Sequence, residues 1–417
     1  MNDISSIDST QRNQAGLARQ RVVMRGMLKR MLDHLAAGRT TDLTDGIMQV
    51  NASDYTDPAR LEVERRELFM KLPALACLSC DIRNPGDYVV FDALGPSILV
   101  VRGKDNKVRA FLNSCRHRSA KVAPEACGHK TRFTCPFHGW TYDAEGKLIG
   151  MPGAEAFEGL DPSTTNLVPV PVAEWEGFVF VKAHAGDETI DVEGFLGTLA
   201  PELKQLDMAN TRPIKKSRID VQANWKFAQD TFFEGYHFAT IHPTTIAAHA
   251  FSNCIIHDEF GPHQRVMMPS HNYMDWVGKP ENEWGEVPYQ GIHLIFPSTI
   301  FYAGRLEGFG AKSRTHRQIF GIWRCFPGEK PGESFSLMAT YRPIEEDRPE
   351  DLAEYEGVTD FILNVIENED YSLCKQGQQN LETSPPGHKV LFGRNEGALQ
   401  SIHRHIDEIV VPAMAAE

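Results

Sequence analysis

The segment "CRHRSAKVAPEACGHKTRFTCPFHGW", residues 115 to 140, constrains the fold more than any other part of the chain. It carries a C-x-H pair, Cys115 and His117, and a C-x-x-H pair, Cys135 and His138. Four metal-binding side chains on two short loops need a scaffold that holds both loops still, and the flanking sequence offers one. From about Pro73 to about Ala183, short β-rich runs such as "DYVVFDA", "SILVVRG", "VRAFLN", "TRFTCP" and "GFVFVKA" alternate with turn residues. The expectation is a small all-β domain presenting the two pairs on loops between strands.

A structural zinc is the plain alternative, but zinc sites commonly place two Cys on one loop and two His on the other. One of each per loop is what a [2Fe–2S] centre needs if one iron takes two thiolates and the other two imidazoles. The pairs, with their flanks "CRHR" and "CPFHGWTYD", resemble the Rieske domains of ring-hydroxylating oxygenases. By that resemblance Cys115 and Cys135 ligate one iron of a Rieske [2Fe–2S] cluster, and His117 and His138 the other.

A length of 417 residues exceeds what one core usually fills, so two domains are expected. The division runs 1–59 for an N-terminal helical segment, 60–185 for the Rieske domain and 186–417 for a larger domain. In the first, "RQRVVMRGMLKRMLDHLAAG" spaces Val22, Val23, Met27, Leu28, Met31, Leu32 and Leu35 near a 3.6 period, predicting an amphipathic docking helix over 10–38 closed by Gly38. In the last, the runs "GIHLIFPSTIFYAGRL", "THRQIFGIWRCFPG" and "SFSLMATYRPI" read as an antiparallel meander, followed by the long helix "RPEDLAEYEGVTDFILNVIENEDYSLCKQGQQNL". The fold class is therefore α+β: a small all-β domain plus a helix-grip domain in which the helix packs on one sheet face.

Lys plus Arg total 43 against 56 Asp plus Glu, a net charge of -13 that argues against nucleic acid or an anionic membrane as partner. No run of 18 apolar residues appears, and "MNDISSIDSTQRNQAG" lacks the basic start of a secretory signal, so a cytoplasmic chain is expected. Cys77 and Cys80 form a second C-x-x-C, in an apolar run without a matching pair, and read as core thiols.

An electron-transfer domain needs an acceptor, and "DTFFEGYHFATIHP", residues 230 to 243, offers one. His237 and His242, approached through Phe232, Phe233 and Phe238, would need a third ligand to complete a 2-His-1-carboxylate triad that leaves positions open on Fe(II) for dioxygen; taken alone, the pair reads as two partly buried histidines in ordinary packing. Their spacing does not put both on one face of a regular helix, so a break near His242-Pro243 is required. Downstream of a Rieske motif, "NWKFAQDTFFEGYHFATIH" is similar to the family's mononuclear iron motif. For the carboxylate, Asp360, Glu367, Glu369 and Asp370 compete. The segment "NEDYSLCKQGQQNL" resembles the family's late segment and favours Asp370, with Glu367, one helical turn earlier, next.

The resemblance implies that an acid three residues before His237, most often Asp, bridges that histidine to a Rieske histidine of a neighbouring subunit. Here it is Glu234, as in members that act on quaternary amines. Asp230, near the iron motif, is a candidate catalytic residue that steers substrate, with a structural role as the alternative. The family is further implied to take electrons from a separate NAD(P)H-dependent reductase, with or without a ferredoxin, and to form a homotrimer or an α3β3 assembly with a small subunit. The chain has no G-x-G-x-x-G after a strand to bind a nicotinamide itself. The expected function is a terminal oxygenase that activates O2 at mononuclear Fe(II) to hydroxylate an aromatic or other hydrophobic small organic substrate. A quaternary-amine or demethylating monooxygenase, and a Rieske carrier without oxygenase chemistry, are the alternatives. Candidate pocket residues are Phe251, Ile256, Trp276, Trp284, Ile295, Phe301, Tyr302, Phe309 and Phe320.

Overall fold

The computed structural model describes residues 4–285, 289–306, 317–346 and 349–416. Alternating apolar residues between 74 and 181 build three antiparallel sheets. The five-stranded one runs in the order Pro169–Val170, Val108–Leu112, Ile98–Arg102, Asp87–Phe91, Cys127–His129. A three-stranded sheet joins Val172–Trp175, Phe178–Val181 and Ala74–Leu78, and another Arg132–Thr134, Thr141–Asp143 and Leu148–Gly150. Residues two apart along a strand share a face. Leu99 and Val101 accordingly meet Tyr88, Phe111, Phe133, Trp140 and Tyr142 in one core that also contains Cys115 and Cys135. Cys77 is buried in its strand, as a core thiol should be. These elements form one compact unit, residues 64–195 with 207–211.

The other unit comprises Met1–Val63, Leu196–Leu206 and Arg212–Glu417, so the described part of the N-terminal segment groups with the larger body. Its centre is a seven-stranded antiparallel sheet in the order Thr211–Val221, Ser334–Pro343, Gln318–Pro327, Thr299–Arg305, Gly291–Ile295, His263–Met267, Ile256–Phe260. The meander supplied its middle; the basic strand "TRPIKKSRIDV" and the polar hairpin at residues 256–267 carry too little apolar alternation to stand out. The long helix runs along this sheet as Pro349–Val365 and Tyr371–Glu382, joined by a π-helical turn, Ile366–Asp370. Thr359 and Thr340 share a hydroxyl hydrogen bond of 2.9 Å, and Tyr371 and Ser336 one of 2.7 Å, which fix the helix on strand Ser334–Pro343.

The N-terminal helix spans Ile4–Ala36. It buries Met24, Met27, Leu28, Met31, Leu32 and Leu35, whereas Val22, expected on the apolar stripe, faces solvent. No helix among the described residues is long and apolar enough to cross a membrane.

Candidate metal centres and active site

Two loops of the smaller unit bring the Cys-His pairs together. Asn113 closes the first: its buried Oδ1 accepts from the N–H groups of Val122 (3.0 Å) and Ala123 (2.9 Å), and its Nδ2 donates to the Ala123 carbonyl (2.7 Å). The second closes through the Cys135 N–H donating to the Trp140 carbonyl (2.8 Å), with Gly139 at φ +74°, a conformation that suits glycine. The His117 and His138 rings lie 4.4 Å apart between centroids, and His117 stacks on Trp140 at 5.2 Å. Cys115 and Cys135 are buried while His138 is exposed, so the thiolate side of the site faces the core and the imidazole side faces out.

These residues fit a two-iron cluster. Burial pushes the Cys135 thiol up, and Cys115 beside it adds to the shift, so the Cys135 thiolate that would ligate a metal is favoured only beside a cation. The Nδ1 of His117 is buried with no hydrogen-bond partner, which leaves a lone pair for a metal. Tyr142 hydroxyl lies 3.5 Å from Cys115 Sγ and accepts the Arg116 N–H at 3.0 Å, so its proton is free to point at the sulfur. A single zinc would draw all four donors to one point. Among the described residues, the group of three or more such donors that converges, with all atoms within 4.8 Å of one another, lies elsewhere.

That group is His237, His242 and Asp370, in the larger unit. The short helix Phe238–Ile241 begins after His237 and ends at His242, whose φ of -117° and ψ of 38° leave the helical region one residue before Pro243. This break turns both rings toward one carboxylate: Asp370 Oδ1 is 3.2 Å from His242 Nε2 and 3.6 Å from His237 Nε2. Each outer nitrogen has its own acid. Glu234 holds His237 Nδ1, and Glu369 Oε2 holds His242 Nδ1 at 2.5 Å while accepting from Thr245 Oγ1 at 2.7 Å. Burial lowers the His242 pKa, but Asp370 and Glu369 outweigh it and hold it above the ordinary imidazole value, and charge that favours a proton there favours a dication equally.

The π turn explains how neighbours in sequence serve one ring. Asp370 and Glu369 reach the inner and outer nitrogens of the same imidazole from adjacent positions, at the kind of helix irregularity that recurs at functional sites. Glu367 is exposed, and Asp360 pairs with Lys215 on the surface at 2.5 Å, so neither joins the trio. Asp230 is not among the residues lining the cavity over the trio: it is buried between His403 Nε2 (3.1 Å) and the Tyr55 hydroxyl (3.3 Å). Nearby, Glu396 accepts the Gly393 N–H at 2.5 Å, and its carboxyl is held up by burial and then by Glu234 and Asp230.

The trio opens on a cavity of about 190 Å³. Of the aromatic and aliphatic residues expected to line it, Tyr302 does, but Phe251, Ile256, Trp276, Trp284, Ile295, Phe301 and Phe320 do not. Phe309 lies outside the described residues. Phe251, Trp276 and Trp284 stand outside the sheet strands, and for Ile295 and Phe301 strand parity is the reason. Val266, Ile292, Tyr302 and Gly321 are partners in one cross-strand row facing the cavity, and Arg265, His293, Phe301 and Ile322 form the row on the opposite face. The wall contains a residue not singled out from sequence, Trp323, stacked between Phe232 (5.3 Å) and Tyr302 (5.6 Å). Gly321 and Gly304 make room for this stack: an added Cβ would lie 2.9 Å from the Trp323 ring and 1.6 Å from the Tyr302 hydroxyl. Arg305 and Gln290, also unforeseen, bring polar groups to the lining.

Fold and sites together define a class: an iron–sulfur electron-transfer domain joined to a helix-grip domain with a 2-His-1-carboxylate centre. A family model for the Rieske [2Fe-2S] domain matches residues 73–172, and one for the ring hydroxylating alpha subunit (catalytic domain) matches residues 208–411. The chain belongs to the Rieske non-haem iron oxygenases, as an oxygenase α subunit, and that membership brings two cofactors, a Rieske [2Fe–2S] cluster and a mononuclear iron.

Among its relatives, the glycine betaine monooxygenase oxygenase subunit of Chromohalobacter salexigens is 33% identical over 51% of this chain, a match spanning 48%, about half, of the relative's length. The carnitine monooxygenase oxygenase subunit of Escherichia coli K12 is 28% identical over 74% of this chain and 83% of its own. In fold, the chain is similar to naphthalene 1,2-dioxygenase from Rhodococcus sp., with a TM-score of 0.69 at 19% identity, covering 93% of this chain and 98% of that one.

Proposed function

We propose that the chain is a terminal oxygenase that uses dioxygen to oxidise a small organic substrate, with electrons from a separate reductase or ferredoxin. In this scheme Cys115, Cys135, His117 and His138 hold the cluster, and His237, His242 and Asp370 hold Fe(II). The observation that carries it is the convergence of two Nε2 atoms and one carboxylate oxygen at the wall of a largely apolar cavity. When bound, the cluster relays single electrons and the iron offers open positions to dioxygen. The protein's own residues do the rest. Glu234 and Glu369 accept from the outer imidazole nitrogens, fixing tautomer and ring orientation. Phe232, Trp323 and Tyr302 form a stacked aromatic wall that excludes water and suits a planar or quaternary-ammonium group. The names of the curated relatives favour an amine-bearing substrate.

Electron delivery between subunits completes the scheme. Phe137, next to His138, is 57% exposed, and Tyr236, next to His237, is 63% exposed, so each centre carries an uncovered aromatic at its door. A head-to-tail trimer that apposes these surfaces places Glu234 between His237 and a neighbour's Rieske histidine. Eight cysteines scattered along the chain, two of them paired with histidines, suit metal ligation in a reducing, cytoplasmic setting rather than a disulfide framework. His237→Ala tests the function: turnover and mononuclear iron should disappear while the cluster spectrum stays intact. Unchanged substrate oxidation in this variant contradicts the oxygenase scheme.

A further inference from the structure

We propose that the Met268 thioether is a modification site: it is the group this protein oxidises on itself, to the sulfoxide, when dioxygen is reduced beside His237 and His242 without substrate. The inference rests on the oxygenase scheme above and goes beyond it, to what the site does when no substrate is held.

Position singles this side chain out. Among the described residues that line the cavity, the sulfur-bearing ones are Met267 and Met268. Met267 ends the strand His263–Met267 and is 4% exposed, whereas Met268, one residue past the strand end, is half-buried. A Cβ placed on Gly235 would lie 3.5 Å from Met268 Cγ, 3.7 Å from Met268 Cε and 3.5 Å from the Phe238 ring. The sulfur is bonded to both of those Met268 carbons, so it sits against the loop that leads into His237. The Phe238 ring beside it is 4.9 Å from the His237 ring. Met274, by contrast, is 42% exposed and outside the lining.

Reactivity agrees with position. A thioether carries its lone pair at every pH and is oxidised to a sulfoxide, whereas a thiol reacts as its thiolate. Burial pushes the Cys325 and Cys374 thiols up, and neither lines the cavity. Without substrate, dioxygen takes two electrons, one from the reduced cluster and one from Fe(II), and two protons from water, giving hydrogen peroxide. The peroxide O–O bond then breaks: one oxygen atom bonds to the Met268 sulfur, which is oxidised by two electrons, and the other leaves as water. A thioether held at the cavity wall meets that peroxide at high effective concentration. The sulfoxide turns an apolar group in the wall into a polar one.

In the test, holoprotein is reduced anaerobically, freed of excess reductant and exposed without substrate to isotopically heavy dioxygen, with catalase in solution to destroy escaped peroxide. Tandem mass spectrometry then reads heavy oxygen on each methionine. The label on Met268 should exceed that on Met274 by at least about 10-fold, a modest part of what proximity can supply. His237→Ala and Asp370→Ala, each shown to be folded by its intact cluster spectrum, should lose that excess. An unlabelled Met268 in protein whose cluster and iron have been reoxidised overturns the inference and leaves the oxygenase scheme standing. A Met268 label that persists in both variants overturns it too, because the oxidant then forms elsewhere. If the cluster of the iron-loaded protein stays reduced under dioxygen, the oxygenase scheme fails and the inference fails with it.

Discussion

The two metal histidines differ in what steadies them. Glu234 is local, three residues before His237, and also accepts the N–H of Tyr236 at 2.5 Å. Glu369 comes from the distant helix and ties that helix to His242 through one carboxylate oxygen shared with Thr245. Outer-sphere acids of this kind set ligand basicity, and their loss typically costs 10- to 100-fold in metal affinity. Glu369→Gln should therefore lose mononuclear iron at roughly 10- to 100-fold lower chelator concentration, with the cluster absorbance unaffected; equal iron retention would assign Glu369 to helix docking only. The sequence listed Glu369 among four acids competing for the metal without suggesting this role. Helical spacing could not separate it from Asp370, because the π turn that sorts the two has no signature in residue type.

At the scale of elements, the cavity sheet has two faces with different chemistry. The face opposite the cavity buries an ionic cluster: Arg265 Nη1 on Glu202, Arg265 Nη2 on Asp258 (2.8 Å), and His293 Nε2 on Glu202 (3.1 Å), with the Tyr289 hydroxyl on the same carboxylate. Burial raises the Glu202 pKa, but His293, Arg265 and Tyr289 outweigh it and bring it to about 2, against an ordinary 4.5. A depressed carboxylate pKa stabilises the fold above the unfolded value, and that contribution is lost as pH falls through the folded one. The cluster thus contributes roughly 3 kcal/mol at neutral pH that drains away between about pH 4.5 and about pH 2. Urea unfolding should show the wild-type chain losing stability more steeply across that window than Glu202→Gln; parallel curves would mean that the carboxylate is no more acidic folded than unfolded.

The same two-sidedness explains what was legible. The meander and the long helix stood out because their apolar runs are long, and the Cys-His pairs because their spacing is rare. The cavity wall did not stand out, because Phe301 and Tyr302 are adjacent aromatics on opposite faces and only the cross-strand register says which one faces the iron site. Trp323 and Arg305 become visible only once Tyr302 is placed.

For the whole molecule, the account requires the two centres to exchange electrons, and Glu234 is the side chain assigned to that passage. Glu234→Gln keeps the size of the side chain and can still engage a neutral imidazole, but it removes the charge that favours a proton shared between two histidines. Single-turnover oxidation of the reduced cluster should slow by at least about 10-fold in this variant, while the cluster spectrum and subunit stoichiometry are retained. Wild-type rates would remove Glu234 from the electron path and leave it an orienting group for His237.

The most direct measurement is the content of iron and acid-labile sulfide in anaerobically purified protein, read with the electron paramagnetic resonance spectrum after reduction. The account predicts about three irons and two sulfides per chain with a Rieske-type signal. Two irons with that signal, persisting after Fe(II) is supplied, would contradict the mononuclear site, and zinc without sulfide would contradict the assignment of Cys115, His117, Cys135 and His138.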